Sequence, residues 1–211
     1  MKKDFRILAV IICLAFFSCT HNDRPDVSFY HCVEDGFCVR ESEGEFSTLQ
    51  DCEQACQTHQ MARVTVFLYE NCPIAQYMCG PLRDAYRYFC DTLNANILFR
   101  GFSPNAFSTA VSLDDFTEKY DIPFSVEVDY DDVSGQPGPY TDLYNPVVTP
   151  EIFIERNGEL IYRGMIDNSY QSLGQWAFPT ENYLVNVLTQ VVNEEDISYF
   201  ETEAIGCFVN Y

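Results

Sequence analysis

Apolar positions change their period several times along the chain, and each change predicts an element. Residues 7 to 17 form a nearly unbroken apolar run. Arg63 to Tyr69 is rich in β-branched and aromatic residues and predicts a strand. Residues 73 to 92 predict a helix with Pro73 in its first turn, where a missing N–H costs nothing. Asn96 to Phe102 predicts a second strand. Ser112 to Tyr120 predicts a helix with Ser112 and Asp115 at capping-box spacing, and Phe124 to Val128 a third strand. Residues 129 to 145 read as an acidic connection containing Gly and Pro. Glu151 to Arg156 and Glu159 to Met165 predict two strands around Asn157-Gly158, a strong hairpin signal. Thr180 to Val192 predicts a closing helix begun at Pro179-Thr180. Strand and helix in alternation, then a hairpin and a helix, predict a mixed α/β sheet flanked by helices.

The start of the chain has a different character. MKKDFR is basic, the apolar run follows, and Ser18-Cys19 ends it, which is the pattern of a secretory signal. The run falls short of the roughly 20 apolar residues a membrane-spanning helix needs. With a cysteine at the break, residues 1–18 resemble a bacterial lipoprotein signal, although Phe16 stands where such signals usually carry leucine. The resemblance implies that Cys19 is lipidated and anchors the chain to a membrane, more than one acyl chain being needed for a firm hold. An ordinary signal peptide with an incidental cysteine is the alternative. Loss of residues 1–18 removes three cations and one anion, which takes the net charge from -20 to -22. So acidic a chain is a poor match for nucleic acid or anionic lipid headgroups.

Ten cysteines are present. Setting aside Cys13 and Cys19, an even set of eight remains, as expected of an exported, disulfide-permissive chain. Four fall in residues 29–58 as Cys32, Cys38, Cys52 and Cys56, after a polar tether over 19–28. Glu34-Asp35-Gly36 and Glu43-Gly44-Glu45 read as turns. Ser47 or Thr48 caps a short helix that carries Cys52 and Cys56 on one face. So small a module needs staples, and of the three possible pairings the nested one, Cys32–Cys56 with Cys38–Cys52, is preferred. A zinc site with His31 or His59 nearby is the rival reading. The segment EFSTLQDCEQAC resembles the last helix of Kunitz-type modules; the rest of such a module is missing, and no inhibitor function is carried over.

Within an expected domain over 62–211, residues 62 to 209 resemble the thioredoxin-like redoxins, in particular a subfamily related to alkyl hydroperoxide reductase and thiol-specific antioxidant proteins. The resemblance rests on FLYENCPIAQ, on VVTPEIFIERNGELIYRGMID, and on LGQWAFPTENYLVNVL and TEAIGCFV. It implies a thioredoxin fold, with Cys72 directly after the first strand at the N-terminus of a helix. Free N–H groups and the helix dipole stabilise a thiolate there. It also implies that Pro150 takes a cis peptide bond facing Cys72. Cys79, in Cys79-Gly80-Pro81, lies two turns further on and reads as a decoy, with Pro81 kinking the helix. Ala75 stands where a dithiol oxidoreductase needs its second cysteine. Seven helical residues rise about 10 Å, beyond disulfide reach, so Cys207 on a tail that can fold back is the preferred resolving thiol. Cys90 reads as a buried thiol.

Two related chemistries fit poorly. Peroxiredoxins need a proline and a hydroxyl residue before the cysteine, and those places hold Thr65 and Tyr69. Copper carriers of this fold use Cys-x-x-x-Cys and a distant His; Gln76 stands at the second place and no His follows His59. Asp129-Tyr130-Asp131-Asp132 reads as a solvated acidic loop, Arg163 and Asp167 as surface or edge-strand residues, and Tyr69 and Phe153 as core or site-lining aromatics. The expectation is an exported cell-envelope protein with thiol–disulfide activity at Cys72, assisted by Cys207 and Pro150. Its partners are protein thiols or disulfides and, through Cys19, a membrane; no metal, cofactor or nucleic acid is expected. The competing expectation is a redox-inactive binding scaffold in which Cys72 and Cys207 form a structural disulfide.

Overall fold

A computed structural model describes residues 29–32, 38–56 and 60–210. The signal 1–18, Cys19, the tether 20–28, the Glu34-Asp35-Gly36 turn and His59 lie outside the described residues. The cysteine-rich module opens with antiparallel strands β1 (Phe29–Cys32) and β2 (Cys38–Glu41), Cys32 lying opposite Cys38. Helix α1 (Leu49–Cys56) follows, with Thr48 Oγ1 accepting a 3.1 Å hydrogen bond from the Asp51 N–H at its start. The four-residue spacing puts Cys52 and Cys56 on one helix face. They close the disulfides Cys38–Cys52 and Cys32–Cys56. The two bridges stack, so the sulfurs of Cys38, Cys52 and Cys56 lie within 4.8 Å of one another.

The main body runs β3 (Ala62–Phe67), α2 (Pro73–Tyr86), a π-helical turn (Arg87–Thr92), β4 (Ile97–Ser103), α3 (Ala110–Tyr120) and β5 (Val126–Val128). A small hairpin, β6 (Tyr130–Asp131) and β7 (Gln136–Pro137), leads to α4 (Pro139–Tyr144) and β8 (Val148–Thr149). Then come β9 (Glu151–Arg156), β10 (Glu159–Gly164), the hairpin β11 (Tyr170–Ser172) and β12 (Gln175–Trp176), α5 (Tyr183–Val192), β13 (Phe200–Glu201) and β14 (Cys207–Phe208). The central sheet has the order β13-β10-β9-β3-β4-β5. β3 sits at its centre, parallel to β4 and antiparallel to β9. Asn157 and Gly158, both at positive φ, make the tight β9–β10 turn. This is a thioredoxin fold preceded by a disulfide-stapled module. No helix among the described residues is long and apolar enough to cross a membrane.

Three elements depart from the pattern-based expectation, each for a local reason. α3 starts earlier than Ser112, because Thr109 forms the capping box and Ser112 is its reciprocal partner three residues on. α5 starts at Tyr183 rather than Thr180. The Asn168 side-chain oxygen accepts from the N–H groups of Thr180 and Glu181 and holds them in a turn, and Asn182 supplies the cap. The 129–145 connection contains α4, and Asp129 is not a solvated loop residue. It is buried, and its carboxylate accepts from the N–H groups of Tyr140 and Thr141 at the start of α4. Burial pushes its pKa up against those hydrogen bonds. Two smaller differences concern Arg163 and Asp167. β13 pairs outside β10, so Arg163 is not on the sheet edge and pairs with Glu151 at 2.5 Å; Asp167 is buried.

The two faces of the sheet have opposite chemistry. Val64, Val66, Ile97, Phe99, Ile152 and Ile154 pack against α2, α3 and α5 in one apolar core. The alternate residues of the same strands include Arg63, Thr65, Arg100 and Glu155 beside Phe67, Phe102 and Phe153. Such a face would ordinarily meet water, yet Arg63 and Arg100 are almost fully buried. The module and α4 cover it, and Cys38, Leu49, Cys52 and Cys56 share a second core with Phe67, Phe102, Tyr140, Tyr144 and Phe153. Glu53 of α1 reaches into this layer. Arg100 grips it through two parallel 3.0 Å hydrogen bonds, and Arg63 pairs with it as well. Tyr140 donates to the same carboxylate at 2.9 Å, Thr65 accepts from the Arg100 Nε–H at 3.0 Å, and Tyr144 donates to Glu155 at 2.6 Å. The Arg100 guanidinium also lies 4.5 Å from the Tyr140 ring centroid.

Two arginines thus face two glutamates with no excess charge. Removing one partner would leave a buried charge uncompensated, at about 3–5 kcal/mol. Glu53→Ala is therefore expected to lower unfolding stability by about that amount in a denaturant titration with both disulfides intact. A loss under about 1 kcal/mol, the range of an exposed pair, would mean that the cluster does not hold the module to the sheet.

Candidate functional site

β3 ends at Phe67 and the chain turns through Tyr69-Glu70-Asn71 to Cys72. The turn is closed by the Cys72 N–H donating to the Tyr69 carbonyl at 2.9 Å and the Gln76 side chain donating to the Glu70 carbonyl at 2.7 Å. The Glu70 carboxylate is buried and accepts from Ser108 and Ser112, which ties the turn to the start of α3. Cys72 is the N-cap of α2, in extended conformation, with Pro73 in the first turn and no side-chain cap bond. The first-turn N–H groups beyond Pro73 have no partner within the helix.

Opposite stands the short strand β8. The Thr149–Pro150 peptide is cis. The Cys72 thiol is fully buried and donates to the Thr149 carbonyl at 3.1 Å. β14 pairs antiparallel with β8, Cys207 opposite Thr149 and Phe208 opposite Val148. Cys207 is half-buried, and its strand lies opposite the residue whose carbonyl receives the Cys72 thiol. Burial, then interaction with Cys72, pushes the Cys207 pKa up to about 12. Cys207 therefore keeps its proton at neutral pH.

The geometry brings Cys72, Cys207 and the Thr149-Pro150 peptide together and leaves out Cys79 and Cys90. Cys79 points into the helix layer and donates to its own Ala75 carbonyl at 3.1 Å; burial pushes its pKa up to about 12. Cys90, in the π-helical turn, is only partly buried and faces the Ile97 carbonyl at 3.5 Å; burial and Asp91 push its pKa up to about 11. Tyr69 is partly buried against the first core, and Phe153 lies in the second.

Three participants were not singled out from the sequence. Thr149 receives the Cys72 thiol, and its signal was its place before Pro150. Gly206 runs so close to β8 that a Cβ there would strike the Thr149 carbonyl, a signal present only in the Gly-Cys order of the tail. Asn105, buried, accepts from the Asn210 N–H at 3.1 Å while Ala106 donates to the Asn210 carbonyl at 3.2 Å. Nothing in the sequence links positions so far apart.

A raised thiol pKa lowers the thiolate fraction tenfold per unit at neutral pH, and the thiolate is the reactive form. In the folded chain at neutral pH, Cys79 is expected to react with iodoacetamide about a thousandfold, and Cys90 about a hundredfold, more slowly than in the denatured chain. For Cys207 in a Cys72→Ser chain, burial remains the largest cause, so its rate should keep climbing with pH beyond the ordinary thiol value of 9.0. Peptide mass mapping after timed alkylation reads all three, and a plateau below that pH would contradict the assignment.

No family model and no curated protein matches the sequence. Among solved structures, the chain is similar to an uncharacterized conserved protein from Geobacillus kaustophilus, with TM-score 0.62 and 16% identity over 88% of this chain and 89% of that one. A hypothetical protein from Sinorhizobium meliloti 1021 matches with TM-score 0.60 and 15% identity, over 88% and 92% of the two chains. The thioredoxin domain of a thiol-disulfide oxidoreductase from Bacteroides vulgatus matches at TM-score 0.45 and 15% identity, over 80% and 95%. At these identities, what the chain shares with the first two is a fold.

Proposed function

We propose that the chain carries out thiol–disulfide exchange at Cys72, with Cys207 as the resolving thiol. The observation that carries this reading is a pair of free thiols beside the cis Thr149-Pro150 peptide: Cys72 at a helix N-terminus, bonded to the Thr149 carbonyl, and Cys207 on a strand paired opposite Thr149. In the forward direction the Cys72 thiol loses its proton and the sulfur attacks a partner disulfide. A Cys72–partner bond forms, and the partner's other sulfur leaves as a thiolate and takes up a proton. Cys207 then gives up its proton and attacks the Cys72 sulfur. The mixed bond breaks, a Cys72–Cys207 bond forms, and the second partner sulfur leaves as a thiol. Two electrons pass from the two cysteines to the partner disulfide, and an external dithiol reverses the sequence. The raised Cys207 pKa fits the second role, since a thiol that holds its proton does not compete for the first attack.

Full burial of Cys72 favours a second reading, a redox-inactive scaffold in which these cysteines form a permanent disulfide. The same variants separate the two. Cys72→Ser is expected to abolish exchange with a protein disulfide, and Cys207→Ser to retain the first step and accumulate the Cys72 mixed disulfide. A Cys72–Cys207 bond that resists reduction until below about -300 mV, the range of structural disulfides, would favour the scaffold, and retained exchange in Cys72→Ser would sink the redox reading.

The proposal includes export and lipid anchoring through Cys19. Its support is the basic start, the apolar run and Ser18-Cys19, together with two disulfides of the kind that persist in oxidising compartments. In a bacterial host, Cys19→Ala is expected to move the chain from the membrane fraction to the soluble one; an unchanged membrane fraction would remove the anchor from the reading.

A further inference from the structure

The tail that carries Cys207 lies where another strand could lie. β8 is two residues long and outside the central sheet, and β14 occupies its pairing edge. The path is narrow. Gly206 touches the Thr149 carbonyl and the Pro150 nitrogen so closely that no side chain fits, and the cysteine after it pairs opposite Thr149, whose carbonyl holds the Cys72 thiol. The next residue, Phe208, points away and is 77% exposed. The hold is light for so close an approach. Besides the two-residue pairing, it consists of a 3.4 Å bond from the Thr149 hydroxyl to the Cys207 carbonyl, a 3.3 Å bond from the Val209 N–H to the Val147 carbonyl and the Asn105–Ala106 clamp on Asn210. Ile205 and Cys207 pack against the main core only partly buried, and Val147 is itself 57% exposed, so the apolar area that keeps the strand in place is modest. Alongside runs an open cleft of about 560 Å³ lined by Val148, Glu151, Leu173, Ile205 and Phe208 among others, with room for flanking side chains of an incoming segment.

We infer that residues 206–210 stand in for a partner strand: an external protein reaches Cys72 by displacing them and pairing with β8. The partner's reacting cysteine then lies in an extended segment directly after a glycine. The inference rests on the thiol-exchange reading and adds the recognition element and its gate. The tail blocks segments that cannot compete with it, and once the partner has reacted it returns with Cys207 in register for the resolving attack. Tethering favours that return, because the tail competes at a high effective concentration.

The test uses the full chain in a Cys207→Ser background, so that Cys72 is the thiol followed at this edge. Gly206→Val in that background unseats the tail without altering β8. Asn105→Ala loosens the Asn210 clamp and serves as a second, milder release. The probe is an eight-residue peptide copying residues 203–210, presented as its disulfide with glutathione. Glutathione disulfide alone is the comparator, and mass spectrometry of the Cys72 adduct is the readout. The expected result is a rise of about tenfold in the peptide-to-glutathione rate ratio on release of the tail, as for a site freed of a competing occupant. The rise should be lost when the peptide's glycine is replaced by alanine. An unchanged ratio in both variants, or equal rates for the glycine and alanine peptides, overturns the inference and leaves exchange at Cys72 standing. No adduct from either disulfide in any variant overturns both.

Discussion

Two arginines on the inside of a β-sheet impose the constraint from which the rest of this molecule follows. Arg63 and Arg100 rise from the neighbouring parallel strands β3 and β4 onto one face and are almost completely removed from water. An isolated buried guanidinium is prohibitively costly, so a carboxylate must come from outside the sheet, and it must arrive in a fixed orientation. Glu53 meets that need because α1 is held by two disulfides against a hairpin. The staples remove conformational freedom before the helix docks, leaving less entropy to be lost when Glu53 is fixed between the arginines. The cysteine-rich module is thus a wall of the second core, not an appendage on a tether.

The candidate site is built on the opposite principle, few contacts and unequal partners. Cys72 is set by a helix start and a closed turn, both anchored in the sheet. Cys207 is set by a two-residue strand pairing and an asparagine clamp. A firm thiol against a lightly held one suits a reaction in which the first attacks a partner and the second waits. Burial, first, and the neighbouring Cys72 push the Cys207 pKa up, which accords with the order of attack proposed above. Cys79 and Cys90, of the same residue type and nearby in sequence, are set apart from this pair by carbonyl partners and desolvation.

Much of this was legible in the chain, and the illegible parts share a cause. Strand-forming runs, the Asn157-Gly158 turn and the Cys-Pro helix start are local signals, and their elements stand close to where the pattern puts them. Thr109, Asn168 and Asp129 shifted or created helix ends through side-chain bonds that propensity does not encode. Asp129 in particular reads as solvated among its acidic neighbours, and only the fold brings Tyr140 and Thr141 over it. The alternation Arg63-Val64-Thr65-Val66 is that of a strand with one wet face. That the wet face is dry depends on a helix that precedes it in the chain and on Arg100 well beyond it. Long-range charge pairing of this kind leaves no periodicity behind. In the site, the Gly206–Thr149 contact was invisible for the same reason, although Cys207 itself could be weighed as a partner because few cysteines compete for the role.

The wall and the site share their supports. β3 carries Arg63 near its start and delivers the Cys72 turn from its end. β9 carries Glu155 near its end and starts at Glu151, directly after Pro150. Glu151 in turn accepts from the Val147 N–H and from Arg163, fixing the approach to β8. Each strand spans about 20 Å, and each has one end in the ion cluster and the other at the thiols. Register between β3 and β9, Arg63 opposite Glu155 and Phe67 opposite Glu151, therefore fixes both places at once. A slip of one residue would turn the arginine to the apolar core and the cysteine turn away from Thr149 together. The buried charges specify that register in a way apolar residues alone would not, since an arginine facing the wrong layer has no partner, and the distance between Cys72 and Thr149 is held by the same pairing that keeps Arg63 beside Glu53.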